Sequence, residues 1–161
     1  MITRWLPASV HRAAMPLAYR VRDRWWRWRG KPIAGVSVVL TNPPGEVLLL
    51  RHSYGPPVWA LPGGGIGLRE NPQVAARREV REELGLKLEA LHDVAVIEET
   101  ISGSPHTAHL FAATTAAMPR PDGREIIAAQ FFPIDQMPND LGRITAARLA
   151  VWRDWRASQQ G

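Results

Sequence analysis

The chain has 161 residues, a formal net charge of +5, 45% hydrophobic and 22% charged residues, and no cysteine. That length predicts one domain with room for a real core, and the missing cysteines exclude disulfides, thiolate metal sites and a cysteine nucleophile. No apolar run approaches the roughly 18 residues that span a bilayer, and the basic start lacks the apolar segment and cleavage site of a secretory leader, so a cytoplasmic location is expected.

The positive charge is concentrated at the start. Residues 1–32 hold eight Lys/Arg against one Asp, leaving twelve Lys/Arg against fourteen Asp/Glu in the remainder. Four of the seven Trp also fall there: Trp5, Trp25, Trp26 and Trp28. Over 3–29, Leu6, Val10, Ala14, Leu17, Val21, Trp25 and Trp28 recur every three or four residues, which predicts an amphipathic helix kinked at Pro16. Gly30 and Pro32 mark a boundary, so residues 1–32 read as an extension and 33–161 as a domain.

From Ile33 the pattern becomes strand-like. Val36, Val38, Val39 and Leu40 precede the turn Asn42-Pro43-Pro44-Gly45, and Val47–Leu50 follows, which predicts a hairpin. Trp59–Leu61 reads as a short strand, and Gly63-Gly64-Gly65 as a loop. Asn71-Pro72 is an N-cap with proline in the first turn, and Gly85 a left-handed terminator, which predicts a helix ending at Leu84. Strands are expected over 86–98, 107–116 and 126–134. A last helix over 141–156 should bury Leu141, Ile144, Val151, Trp152 and Trp155. Interleaved elements with an antiparallel opening pair predict an α/β fold with a mixed sheet covered by helices.

The helix after Asn71 carries the chemistry. At about 100° per residue, Ala76, Val80 and Leu84 form an apolar stripe, with Glu79, Glu82 and Glu83 on an adjacent arc. Arg77 and Arg81 should point to solvent. An acidic face laced by arginines is the bland reading. Against it, Glu79 and Glu83 are an i,i+4 like-charge pair, costing roughly 0.2–0.5 kcal/mol. Glu82 and Glu83 also occupy the negative end of the helix dipole. Acids placed so, beside a packed stripe, point to a cation, and their hard oxygens suit Mg²⁺ or Mn²⁺. The neighbouring glycines let backbone approach such a site.

From Gly64 to Leu86 the chain reads GGIGLRENPQVAARREVREELGL. This resembles the signature of the Nudix hydrolases, G-x5-E-x7-R-E-U-x-E-E-x-G-U with U aliphatic. Gly64, Glu70, Arg78, Glu79, Val80, Glu82, Glu83, Gly85 and Leu86 all stand in register. The signature covers 23 of 161 residues; the entry LPGGG and the closing FFPIDQMP before a helix are also similar to that family's domain.

The resemblance implies an α/β/α sandwich and an Mg²⁺-dependent hydrolase (Mn²⁺ as the substitute) that cuts the diphosphate linkage of a nucleotide-type substrate by water attack on phosphorus. It implies Glu82 and Glu83 as metal ligands, and Glu79 as a ligand or as the group that polarises water. The Gly63 carbonyl would be a further donor. Glu70 and Arg78 would hold the loop–helix–loop shape, with Gly64 and Gly85 as structural positions. Many members add an acid from outside the signature: Glu125 is the first candidate here, Glu98 and Glu99 the alternatives. The rival from another class is a catalytically silent Nudix-fold binding protein.

Substrate identity stays open. After Leu86 the first proline is Pro105 and no tyrosine follows, so the chain matches neither the ADP-ribose nor the dinucleoside polyphosphate marker of the family. His52, Tyr54 and Trp59 are candidates to line a substrate pocket, although a Trp in a short strand is more often core. His106 and His109 could reach phosphate; strand-end histidines are the commoner case. For residues 1–30, packing on the domain or in a homodimer is favoured. Peripheral contact with an anionic membrane comes second, and nucleic-acid binding is least favoured.

Overall fold

The computed structural model describes residues 33–101 and 103–160. The predicted amphipathic helix of the basic extension therefore lies outside the described residues.

Six strands and two helices follow in order: β1 (Ile33–Thr41), β2 (Val47–His52), β3 (Gly63–Gly65), α1 (Pro72–Leu84), β4 (His92–Ile101), β5 (Ser104–Thr114), β6 (Ile126–Phe132) and α2 (Arg143–Ser158). The sheet order is β4-β5-β1-β2-β6, with β3 also paired to β1. β1 and β5 are parallel and every other pair is antiparallel, so the sheet is mixed, as expected.

Strand alternation sorts the core into two layers. Val36, Val38, Leu40, Leu48 and Leu50 face α1, where Ala75, Ala76, Val80 and Leu84 complete the packing. Val39, Val47, Leu49 and Leu110 face α2, with Leu149 and Trp152. The central strands are buried on both faces, which is why they read as continuous apolar runs. No described helix is long and apolar enough to cross a membrane.

α1 has the predicted bounds. The Asn71 side chain accepts the Gln73 N–H, and Gly85 is left-handed at φ 66°. Four expectations are corrected. Gly63-Gly64-Gly65, expected as a loop, is the short strand β3, held by pairing with β1. The strand expected over 86–98 begins only at His92. Leu86 and Leu88 alternate with exposed neighbours like a strand, yet they are core plugs in a loop, 4% and 5% exposed. Arg77, expected in solvent, holds that loop by donating to the carbonyl oxygens of Leu88 and Glu89. On α2 the buried residues are Thr145, Leu149 and Trp152, while Ile144 is 42% exposed. Leu141, Val151 and Trp155 pack only partly buried against the core.

Candidate active site

The site is built where β3 pairs with the first half of β1. Gly35, Val36 and Ser37 stand opposite Gly65, Gly64 and Gly63. The backbones approach so closely that a Cβ on Gly63 (φ 151°) would lie 2.1 Å from the Val36 carbonyl oxygen. Only glycine has the freedom and the missing atom that this requires. A Cβ on Gly64 would stand 2.5 Å from the carboxyl carbon of Glu79. The glycines thus make a flat floor against which the helix lays its acids.

Glu83 is only 7% exposed, and the Gly63 N–H donates to its Oε2 at 3.0 Å. Glu79 is half-buried beside it, and Glu82, with a side chain 55% exposed, faces outward. Arg78 ties the assembly together. Its Nε and Nη2 fork onto Glu70 at 2.8 and 2.9 Å, Nη2 also donates to the Gly65 carbonyl at 3.0 Å, and Nη1 donates to Glu79 Oε1 at 2.7 Å. Nη1 lies 3.5 Å from Glu82. Glu70 completes the turn by accepting the Gly67 N–H at 2.7 Å. Arg69 in that turn is left-handed at φ 60°, a conformation strained for a residue with a Cβ.

The electrostatics follow from these contacts. The Arg78 fork, then the Gly67 N–H, hold the Glu70 carboxyl down to about 2 from its ordinary 4.5. Hydrogen bonding to Glu70 in turn raises Arg78, fixing its charge. Burial pushes Glu79 up, against the pull of Arg78. Burial pushes Glu83 well above the carboxylate range, opposed by the Gly63 N–H and reinforced by the negative charges of Glu79, Glu125 and Asp122.

Glu125, outside the signature and beside the end of β2, is close enough for its charge to act on both Glu79 and Glu83. The Ser53 N–H donates to the Glu125 carbonyl at 2.8 Å. His52 is in register with Ile126, and its ring sits 5.1 Å from that of Tyr54. Two of the three pocket candidates, His52 and Tyr54, thus flank the Glu125 segment. The other candidates make no hydrogen bond to the helix glutamates among the described residues, although a Cβ on Gly35 would lie 3.1 Å from both His106 Nε2 and the Gly64 carbonyl oxygen. Trp59 packs edge-on against Phe132 at 4.9 Å, with Arg51 over its ring, in the α2 layer. Glu98 accepts from Thr107, while Glu99 binds Arg148 at 2.5 Å and His106 at 3.0 Å. His109 is half-buried in β5, in register with Val36.

Reasoning from sequence missed Asp122, although Asp122-Gly123 is a turn dipeptide. It also missed Arg148, which bonds both Ser37 and Glu99, because nothing local links those three positions.

Whether the residues suit a metal ion is decided by donor chemistry. Among the described residues no three of His, Cys, Asp or Glu are gathered closely enough to hold an ion. Glu83 is engaged by Gly63 and Glu79 by Arg78. Yet Glu79, Glu82, Glu83, Glu125 and the Gly63 carbonyl are all hard oxygen donors. Glu79 and Glu83 are also raised by burial and by neighbouring negative charge, Glu79 by Glu82 and Glu125, Glu83 by Glu79, Glu125 and Asp122. That set fits a divalent cation of the Mg²⁺ class.

A family model described as the NUDIX domain matches residues 31–152. The chain is similar to the RNA pyrophosphohydrolase of Rhodospirillum rubrum, 42% identical over 53 residues, covering 33% of this chain and 32% of the relative. It is also similar to the RNA pyrophosphohydrolase of Hahella chejuensis, 45% identical over 60 residues and 37% of each chain. The matched stretch spans about a third of the length of these curated relatives. Among solved structures, a MutT NUDIX hydrolase from Burkholderia pseudomallei superposes with a TM-score of 0.68 at 27% identity, covering 74% of this chain and 97% of that one. A UDP-X diphosphatase superposes at 0.69 and 26%, covering 81% and 66%.

Proposed function

The chain belongs to the Nudix family, and on that premise we propose that it is a pyrophosphohydrolase. The substrate class we assign is a nucleoside diphosphate linked to another moiety, or a nucleoside triphosphate. The observation that carries this reading is the pair of Glu83, buried, and Glu79, half-buried, packed against the glycine strand and both raised by burial. Buried like charges are costly unless a cation balances them. When bound here, Mg²⁺ supplies charge neutralisation for the diphosphate and a more acidic water.

Glu82 and Glu83 are the residues we assign to hold that ion, with the Gly63 carbonyl and Glu125 as further donors. Burial makes Glu79 a stronger base than a free carboxylate, which suits it to take a proton from the attacking water. In the step, the water oxygen bonds to phosphorus in line with the bridging oxygen. The phosphorus–bridge bond breaks, its electron pair leaves with the departing phosphate, and the water's proton passes to Glu79. Arg78 orients Glu79 through the 2.7 Å bond to Oε1 while its fork on Glu70 anchors it to the preceding turn. His52 and Tyr54, beside the Glu125 segment, are assigned to substrate.

The test is a panel of nucleotide sugars, ADP-ribose, dinucleoside polyphosphates and nucleoside triphosphates with Mg²⁺. A 5′-triphosphorylated oligonucleotide joins the panel because relatives bear the name RNA pyrophosphohydrolase. At least one compound should give two phosphate products, and Glu82→Gln should abolish most of that turnover. Tight binding of a compound with no turnover of any would instead favour a silent binding protein.

A further inference from the structure

We propose that Asp122 is a positioning residue that fixes Glu125 toward the glutamate helix. Asp122 is exposed and reaches no residue of α1 by hydrogen bond; its carboxylate is spent on backbone. Oδ1 accepts the N–H groups of Arg124, Glu125 and Ile126 at 3.0, 3.0 and 2.9 Å, and Oδ2 lies 3.3 Å from the Glu125 nitrogen. Gly123, left-handed at φ 67°, lets the chain fold back over that carboxylate, and its N–H donates to the Ile126 carbonyl at 3.1 Å.

Ser53 grips the same segment from the other side. Its Oγ donates to the Arg124 carbonyl at 2.7 Å and its N–H to the Glu125 carbonyl at 2.8 Å. The N–H of Glu125 is thus held by Asp122, and the carbonyls on both sides of it by Ser53. Its own carboxylate has no hydrogen-bond or ion-pair partner among the described residues, while its charge reaches both Glu79 and Glu83. A side chain left free on a clamped backbone is one whose direction the clamp sets. Such supporting groups matter because donors at a metal site must be aimed before the ion arrives.

The inference rests on the assignment of Glu125 to the site, and a double-mutant cycle separates the two. Mn²⁺ affinity is read by titration calorimetry in the absence of substrate, beside turnover with Mg²⁺. Asp122→Ala should weaken Mn²⁺ binding and lower kcat by about tenfold each. Asp122→Asn keeps the capping oxygen and loses only charge, so it should stay within about twofold of wild type. In a Glu125→Ala background, Asp122→Ala should add nothing. Ser53→Ala, which removes only the hydroxyl, should show the same dependence on Glu125 and serves if Asp122→Ala does not fold. Equal losses from Asp122→Ala with and without Glu125 would overturn the inference, as would an asparagine variant as impaired as the alanine one. Wild-type Mn²⁺ affinity and turnover in Glu125→Ala alone would overturn the assignment of Glu125, and the inference with it.

Discussion

Glu83 is the residue in which fold and chemistry conflict most directly. A carboxylate 7% exposed, beside Glu79 and within reach of Glu125 and Asp122, opposes folding as an anion. Glu83→Gln keeps an oxygen to accept the Gly63 N–H and removes both penalties. Turnover should fall by about a hundredfold or more, since even supporting residues at metal sites are worth about 10–100-fold. The thermal midpoint should hold or rise; a fall of several degrees would mean that Glu83 is structural. The two glycines make a matched pair. Gly63→Ala drives a methyl into the Val36 carbonyl oxygen, 2.1 Å away, and should cost about 3 kcal/mol or more of stability in a denaturant melt. Gly64→Ala meets the far end of the Glu79 side chain first, which can shift where backbone cannot, so activity should drop while the midpoint changes less than in Gly63→Ala. The spacing of Glu70, Arg78 and the helix glutamates was legible in the chain because all of them fall within residues 70–83. Asp122 was not, because an Asp-Gly pair announces a turn without saying what the turn aims.

At the scale of elements, local chemistry was readable and tertiary context was not. Asn71-Pro72 and Gly85 bounded α1 because caps act within a few residues. The start of β4 was misplaced because Leu86 and Leu88 alternate like a strand while plugging the core from a loop. The buried face of α2 was misjudged because in its first turn Thr145, 6% exposed, packs inward and leaves its apolar neighbour Ile144 outside. The turn that delivers α1 depends on Glu70 and Arg78, and this gives a pH signature. The Glu70 pKa is lowered on folding, from 4.5 to about 2, so its contribution is complete above the ordinary value and is lost as pH falls toward the lower one. In thermal melts from pH 6 to 2, wild type should exceed Glu70→Gln at the upper end, and the gap should close between pH 4.5 and about 2. A gap independent of pH would show that the ion pair does not link this turn to stability.

At the scale of the molecule, α1 and α2 enclose a mixed sheet, and the proposed site lies where β1 exchanges its partner β2 for the short glycine strand β3. Residues 1–32, with eight Lys/Arg and four Trp, stand outside this description. We propose that they are an accessory and supply no catalytic group. Deleting them should leave turnover of a small soluble substrate within about tenfold, since terminal segments tolerate removal unless tied down. A lower thermal midpoint or altered oligomeric state after deletion would favour packing on the domain or a partner copy. Sedimentation of the full chain with anionic vesicles, reversed by salt, would favour a peripheral membrane role. Total loss of activity in a folded truncated protein would refute the accessory role.

The most direct measurement is hydrolysis in ¹⁸O-water with Mg²⁺, using the best compound of the panel and mass analysis of both products. Attack of water on phosphorus predicts one ¹⁸O on a phosphate product, lost together with turnover in Glu83→Gln. Label found only on a carbon-bound oxygen, or undiminished turnover in that variant, would contradict it.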